Sequence, residues 1–305
     1  MLKAILITFY GLALLLAGMF VLREGLKKYA GSHFQKTVQE LTATPAKGLL
    51  SGLLATVFLQ SSTALTVMAV SFVDAGLVPF EHTLALILGS NIGSTVTPQL
   101  LAFPLAEFSV WLISIGFGGL FIIKARIRFL FLSLAGIGTM FFSLSLLEKG
   151  MTPITATPWC LYWLSQLHNN YIYCITAGTL LSALLHSSSA TIGIAMVLAE
   201  KGWLSLPASF AFILGANIGT CFTALLVSIF ASRAAQKVAI FHMLANVFGV
   251  LVFYPFITAS GGIMVLLGEG PSRQIANAHT IFNMVASLML LPLLPAATRL
   301  LNRLR

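Results

Sequence analysis

The sequence predicts an all-α polytopic membrane protein made of two inverted-topology repeats, each with a re-entrant helical hairpin and an unwound transmembrane helix. Three observations point there: 58% of the 305 residues are hydrophobic and only 8% charged, long charge-free runs recur along the chain, and two polar motifs occur twice. A chain this apolar has a bilayer as its solvent.

Charge-free runs long enough to cross a hydrocarbon core of about 30 Å cover residues 4–22, 83–103, 129–147, 203–232 and 238–267, and further candidates cover 105–123 and 275–298. Seven crossings follow. The first run lacks a small-x-small site before Arg23, so it reads as a retained helix and not a cleaved leader. The net charge of +9 sits in short loops beside apolar runs, where it sets topology; nucleic acid is not an expected partner. Cys160, Cys174 and Cys221 form no CxxC pattern, so no transition-metal site, redox chemistry or disulfide framework is expected.

Shifting the chain by 126 residues lays QSSTA (60–64) on HSSSA (186–190) and GSNIGSTVT (89–97) on GANIGTCFT (215–223). Without a gap, 16 of the 46 positions from Gly52 to Thr97 are identical. A shift of 125 lays residues 11–25 on 136–150. Two homologous halves result, 1–128 and 129–258, followed by a final helix and cytoplasmic tail at 259–305.

The serine blocks interrupt residues 48–73 and 172–199, each of which reads as a straight crossing or as a hairpin of two short arms. Loop charge favours hairpins. With the amino terminus outside and the carboxyl terminus cytoplasmic, hairpins leave 13 of 17 Lys and Arg inside, among them Arg23, Lys36 and Arg305; straight crossings leave 11. Three crossings then separate the opening helix from its copy, so the second half enters the membrane from the opposite side.

Broken backbone inside a bilayer needs protein or a wet cavity to satisfy it, and serine hydroxyls serve there. The second arm of each hairpin begins with the unpaired N–H groups and positive dipole end of a helix, a ready anion site that needs no lysine. The paired glycines and the Asn of each GxNIG segment invite local unwinding. Unwound carbonyls with the hydroxyls of Ser94, Thr97, Thr220 and Thr223 are hard oxygen ligands suited to Na⁺. His186, where the first repeat has Gln60, is a packing residue or a proton-linked ligand. His242/Asn246 and His279/Asn283 are expected to hydrogen-bond between helices. Asp74 and Glu200, just beyond the hairpins, are expected to anchor at the membrane surface. An intramembrane hydrolase is disfavoured: adjacent His186 and Ser187 would not face each other on a helix, and no G-x-S-x-G elbow occurs.

With its paired QSST/HSSS blocks, each followed by G-(A/S)-N-I-G, and with AHTIFN (278–283) in the last helix, the chain resembles the type II sodium/phosphate cotransporter family, including its bacterial members. The resemblance implies secondary active transport of inorganic phosphate coupled to Na⁺ across a cell membrane, with no enzymatic activity and no cofactor besides the coupling ion. It implies a substrate site at Ser61, Ser62, Thr63, Ser187, Ser188 and Ser189, with Asn91 and Asn217 as further candidates. Sodium ligands carry over onto Gln60, Ser61, Ser90, Ser94 and Thr97, and in the second half onto Ser187, Thr220 and Thr223. There His186 and Ala216 depart from the pattern, leaving room for an alternative: a carrier of another oxyanion or a carboxylate, proton-coupled through His186. Many bacterial relatives carry a PhoU-like domain; none is expected after the last helix here. A homo-oligomer is compatible with this reading.

Overall fold

Helices that are apolar on every side cannot present a polar face to water, and the long helices of this protein are of that kind. The computed structural model describes residues 1–30, 44–124 and 126–303; Lys36 and Arg305 therefore lie outside the described residues. Among these residues every regular element is helical. In chain order they are α1 (Leu2–Ala30), α2 (Pro45–Leu59), α3 (Ser62–Asp74), α4 (Phe80–Gly93), α5 (Val96–Leu101), α6 (Ser109–Ile122), α7 (Arg128–Thr155), α8 (Pro158–Asn169), α9 (Tyr171–Leu185), α10 (Ser188–Glu200), α11 (Leu206–Ser228), α12 (Arg233–Phe253), α13 (Ile257–Val265), α14 (Pro271–Leu290) and α15 (Leu294–Arg303).

Six stretches are long and apolar enough to cross a membrane: Leu2–Tyr29, Phe80–Leu101, Arg128–Thr155, Leu206–Ser228, Arg233–Val265 and Pro271–Arg303. The seventh expected crossing forms the shorter helix Ala106–Ile122, roughly 25 Å long. The first helix does not end at its first charge. Arg23, Glu24, Lys27 and Lys28 continue α1 to Ala30, because these are good helix formers and the one glycine among them, Gly25, is held by close packing against Phe129 and Ser133. The helix α8 has no counterpart among the expected elements; its exposed Trp159, Tyr162 and Trp163 are of the kind that sit at a membrane–water boundary.

The packing repeats as the sequence does. Helix α1 lies antiparallel on α7, from Thr8 beside Gly150 to Gly25 beside Ser133. Helix α2 crosses α4 so closely that a Cβ on Gly52 would fall 1.9 Å from the Leu86 carbonyl oxygen, and one on Gly89 1.8 Å from that of Leu49. The copy, α9 on α11, gives 2.0 Å for Gly178 against Phe212 and 1.9 Å for Gly215 against Ile175. Only glycine permits such backbone contact. The second arms interlock the halves: α3 packs against α11 and α12, and α10 against α5, α7 and α14.

This use of the glycines corrects one expectation. In the second half the GANIG segment does not unwind, since α11 runs unbroken from Leu206 to Ser228. In the first half the helix is interrupted by a turn at Ser94–Thr95. The cause is Pro98, which has no N–H to give the Ser94 carbonyl four residues back. Its repeat-equivalent is Ala224, so the copy stays continuous. Glycine here serves close packing, and proline makes the break.

Asp74 and Glu200 end up at the outer ends of α3 and α10. The Asp74 carboxylate accepts the Ser232 N–H at 2.6 Å and the Glu200 carboxylate accepts the Ser272 N–H at 3.0 Å. Each thereby satisfies an open N–H at the start of α12 or α14.

Candidate functional site

The two serine blocks fold alike. Helix α2 stops at Gln60, which takes φ 49° and ψ 32°, and α9 stops at His186 with φ 50° and ψ 30°. Among the described residues these are the two non-glycine positions with positive φ. The left-handed conformation costs about 1–2 kcal/mol for such a residue, so something must hold it. Ser61 and Ser187 then turn extended, and each Oγ accepts an N–H of the next helix, from Ala64 at 3.1 Å and from Ala190 at 3.2 Å. These are N-caps of α3 and α10, each stabilising by about 1 kcal/mol.

A cross-link secures each strained residue. The Thr97 hydroxyl donates to Gln60 Oε1, while Gln60 Nε2 donates to the Val57 carbonyl at 2.6 Å. In the second half His186 Nδ1 meets Thr223 Oγ1 at 2.7 Å. The partners stand 37 residues apart in both cases. The fold thus spends Thr97 and Thr223 on holding the tips.

Both tips border one small cavity, lined by Ser61, Ser62, Thr63, Ser187, Ser188 and Ser189 together with Gln60, His186, Ser94, Thr220 and Arg23. All six expected substrate hydroxyls therefore come together, from segments about 126 residues apart. Two helix N-termini, those of α3 and α10, open on the same space. Hydroxyl bookkeeping divides the lining. Because Ser61 accepts from backbone, its O–H stays free to donate, which suits an anion; Ser187 accepts likewise and gives its O–H only to a long contact with Met19 Sδ at 4.0 Å, which an anion can displace. Ser94 and Thr220 instead donate to the Asn91 and Asn217 carbonyls, at 2.7 and 2.8 Å, so they offer lone pairs, which suit a cation.

Other expected residues lie elsewhere. Asn91 borders a separate small cavity with Asn246, Asn283 and Ser287. Asn217 donates from Nδ2 to the Ile213 carbonyl at 3.0 Å and places Oδ1 3.3 Å from His279 Nε2. Neither asparagine lines the tip cavity. Ser90 is fully buried and its Oγ has no hydrogen-bond partner among the described residues. The expected interhelical bonds are present for His279 and for Asn246, whose Nδ2 donates to Cys221 Sγ on α11 at 3.3 Å as well as to the His242 carbonyl at 2.9 Å on its own helix; neither ring nitrogen of buried His242 has a partner among the described residues. Arg23 is the lining residue that the sequence reading missed. It follows Met19 by one turn of α1, and Met19 Sδ lies 4.0 Å from Ser187 Oγ, a tertiary contact that no local pattern announces.

Comparison with known proteins gives the following. A family model described as Na⁺/Pi-cotransporter matches residues 14–149 and again 155–290. The uncharacterized YqeW protein of Bacillus subtilis is 36% identical over 301 residues, which is 98% of this chain and 97% of that protein. YjbB of Salmonella typhimurium, named for inorganic phosphate export, is 26% identical over 294 residues, 95% of this chain and 54% of its own length. The chain therefore spans about half the length of that relative. The sodium-dependent phosphate transport protein 2A of Oryctolagus cuniculus is 39% identical over 87 residues, 28% of this chain and 13% of that protein. No solved structure matches the chain.

Proposed function

Since the chain belongs to the Na⁺/Pi-cotransporter family, we propose that it carries inorganic phosphate across a cell membrane together with sodium, by alternating access. The observation that carries this reading is the single cavity bordered by both serine blocks and two helix N-termini. Phosphate there would meet the hydroxyls of Ser61, Ser62, Thr63, Ser187, Ser188 and Ser189 and the open N–H groups of two helix starts. Sodium, as co-transported cargo, would meet the lone pairs of Ser94 and Thr220 and the Gln60 amide oxygen, with Thr97 and Thr223 positioning the tips. Asn91, Asn217 and Ser90 move out of the contact set, because they do not line the cavity.

Inverted repeats are part of the proposal, divided near residue 128, with 48–73 and 172–199 as re-entrant hairpins. Support comes from α1 and α7, which correspond in the repeat and run antiparallel in contact. It also comes from the short arms. Helices α2 and α3 have 15 and 13 residues, about 22 and 20 Å, too short to cross alone. The names of the relatives, one for phosphate export and one for sodium-dependent phosphate transport, agree with the substrate. The amino terminus is taken as outside and the carboxyl terminus as cytoplasmic, from the placement of Lys and Arg.

A second reading has its own observation. His186 is exposed toward the cavity and bonded to Thr223, where the first half has an amide, so protons could replace sodium at that half. Radiolabelled phosphate uptake into proteoliposomes separates the two. A sodium gradient is expected to drive uptake; uptake indifferent to sodium but driven by a pH gradient selects the second reading. Absence of phosphate flux under either gradient overturns both.

A further inference from the structure

Among the residues lining the tip cavity Arg23 alone carries a permanent charge. It stands on α1 within the apolar stretch Leu2–Tyr29. A guanidinium there is costly to keep from water and marks a functional position by default. The ordinary escape is to snorkel, extending the head group to the membrane surface. Arg23 does not take it: the side chain borders the cavity, and its Nε is buried with no hydrogen-bond partner among the described residues. Nor is its charge held in an ion pair, although the adjacent Glu24 acts on it at longer range. The ion pairs among the described residues are Lys27 with Glu24 and Lys201 with Glu148, and Arg23 belongs to neither.

The repeat makes the position more distinctive. Arg23 corresponds to Glu148, which has the opposite charge and is held by Lys201 Nζ at 2.6 Å. The hydroxyls and helix ends of the cavity come in pairs, one from each half, whereas the fixed cation comes from α1 alone. Neutral donors and helix dipoles carry partial charges, and a doubly charged oxyanion leaving water calls for a full one. A guanidinium supplies it with a planar fork of N–H groups that matches two oxygens of a tetrahedral anion, and it cannot lose its proton.

We propose that Arg23 is the charged clamp on the substrate oxyanion, contacting two of its oxygens while the Ser61–Thr63 and Ser187–Ser189 tips hold the remainder. This rests on the reading of the cavity as an oxyanion site. The clamp favours the dianion over the monoanion and a tetrahedral oxyanion over a carboxylate.

The test is equilibrium binding of radiolabelled inorganic phosphate to the purified full-length protein, wild type against Arg23→Lys and Arg23→Gln, at fixed sodium. Wild-type affinity is expected to rise as pH passes through the second ionisation of phosphate. The Gln variant should bind about 10- to 100-fold more weakly, with that rise flattened, and the Lys variant should fall between. A merely structural arginine would leave the pH profile in place. Phosphate binding by the Gln variant equal to wild type in affinity and pH profile overturns the clamp. Failure of the wild type to bind phosphate overturns the functional reading beneath it, and the clamp falls with it. Should the Gln variant not yield folded protein, the native protein gives an independent readout, the rate at which phenylglyoxal modifies Arg23 as read by mass spectrometry. Saturating phosphate is expected to slow modification where equal chloride does not; equal rates with and without phosphate overturn the proposal.

Discussion

Gln60 and His186 have one backbone conformation and two chemistries. Both sit left-handed at the end of a first arm, both precede a serine that caps the second arm, and both reach a threonine 37 residues on. Yet the first tip presents an amide oxygen beside an interrupted helix, and the second an imidazole beside a continuous one. The shape of the tip is therefore set by parts the halves share: the N-cap serines, the cross-linking threonines, and the glycines that let the helices touch. The group at the strained position is free to differ, so the chemistry of one tip can change without disturbing its geometry.

The shared parts are where damage should be largest and equal. Gly89→Ala and Gly215→Ala each drive a Cβ to within 2 Å of a carbonyl oxygen on the crossing helix, so either is expected to cost about 3 kcal/mol or more. Loss of the monodisperse peak on size exclusion, or a large fall in thermal midpoint, would report it. Gly118→Ala, where an added Cβ meets nothing within 4 Å, serves as the near-neutral control. A large effect in one half only would break the equivalence of the two crossings.

Next come the caps. Ser61→Ala and Ser187→Ala each remove an N-cap worth about 1 kcal/mol and one hydroxyl of the proposed anion site. Phosphate affinity should drop about tenfold for either, by the same isotope-binding measurement. If only one variant loses affinity, the anion belongs to one tip and not to both.

The tips were legible in the sequence because a serine block in an apolar run needs a reason, and its recurrence with GxNIG supplied one. Several features were not legible, for physical reasons. A charge-free criterion ends a membrane helix at its first charge, which put Arg23 in a loop when it lines the cavity. Helix-weakening glycines were read as unwinding, although the same lack of a side chain permits close crossing; Pro98 was the residue to follow. Asn91 and Ser94, three positions apart, differ by about 60° around the helix, and Asn91 turns to α12 and α14 while Ser94 meets the tips. The pairing of Gln60 with Thr97 is tertiary, and no local pattern announces it.

Pro98 gives a smaller, sharper test. Pro98→Ala restores an N–H to the Ser94 carbonyl and should make the first helix continuous like its copy, with a gain of about 0.5–1 kcal/mol in stability. If the turn at Ser94–Thr95 helps receive sodium, half-maximal sodium for phosphate uptake should rise several-fold. Unchanged sodium dependence would mean that the interruption has no part in the ion site and that the two halves differ only at the tip residue.

The smallest structural change bears most directly on the contrast. His186→Gln gives the second tip the amide of the first, on a backbone already in the same left-handed conformation and opposite the same kind of partner, Thr223. Stability should move by less than about 1 kcal/mol, since one hydrogen bond to threonine replaces another. Uptake should change in kind. A second amide oxygen beside Thr220, whose lone pairs already face the cavity, creates a better sodium ligand set, and any dependence on pH that the imidazole confers should disappear. The expected result is a steeper sodium dependence of phosphate uptake with a flatter pH profile. A variant matching wild type in both would show that the imidazole only holds the tip, as Gln60 does, and that the asymmetry of the ion site lies at Ala216 instead.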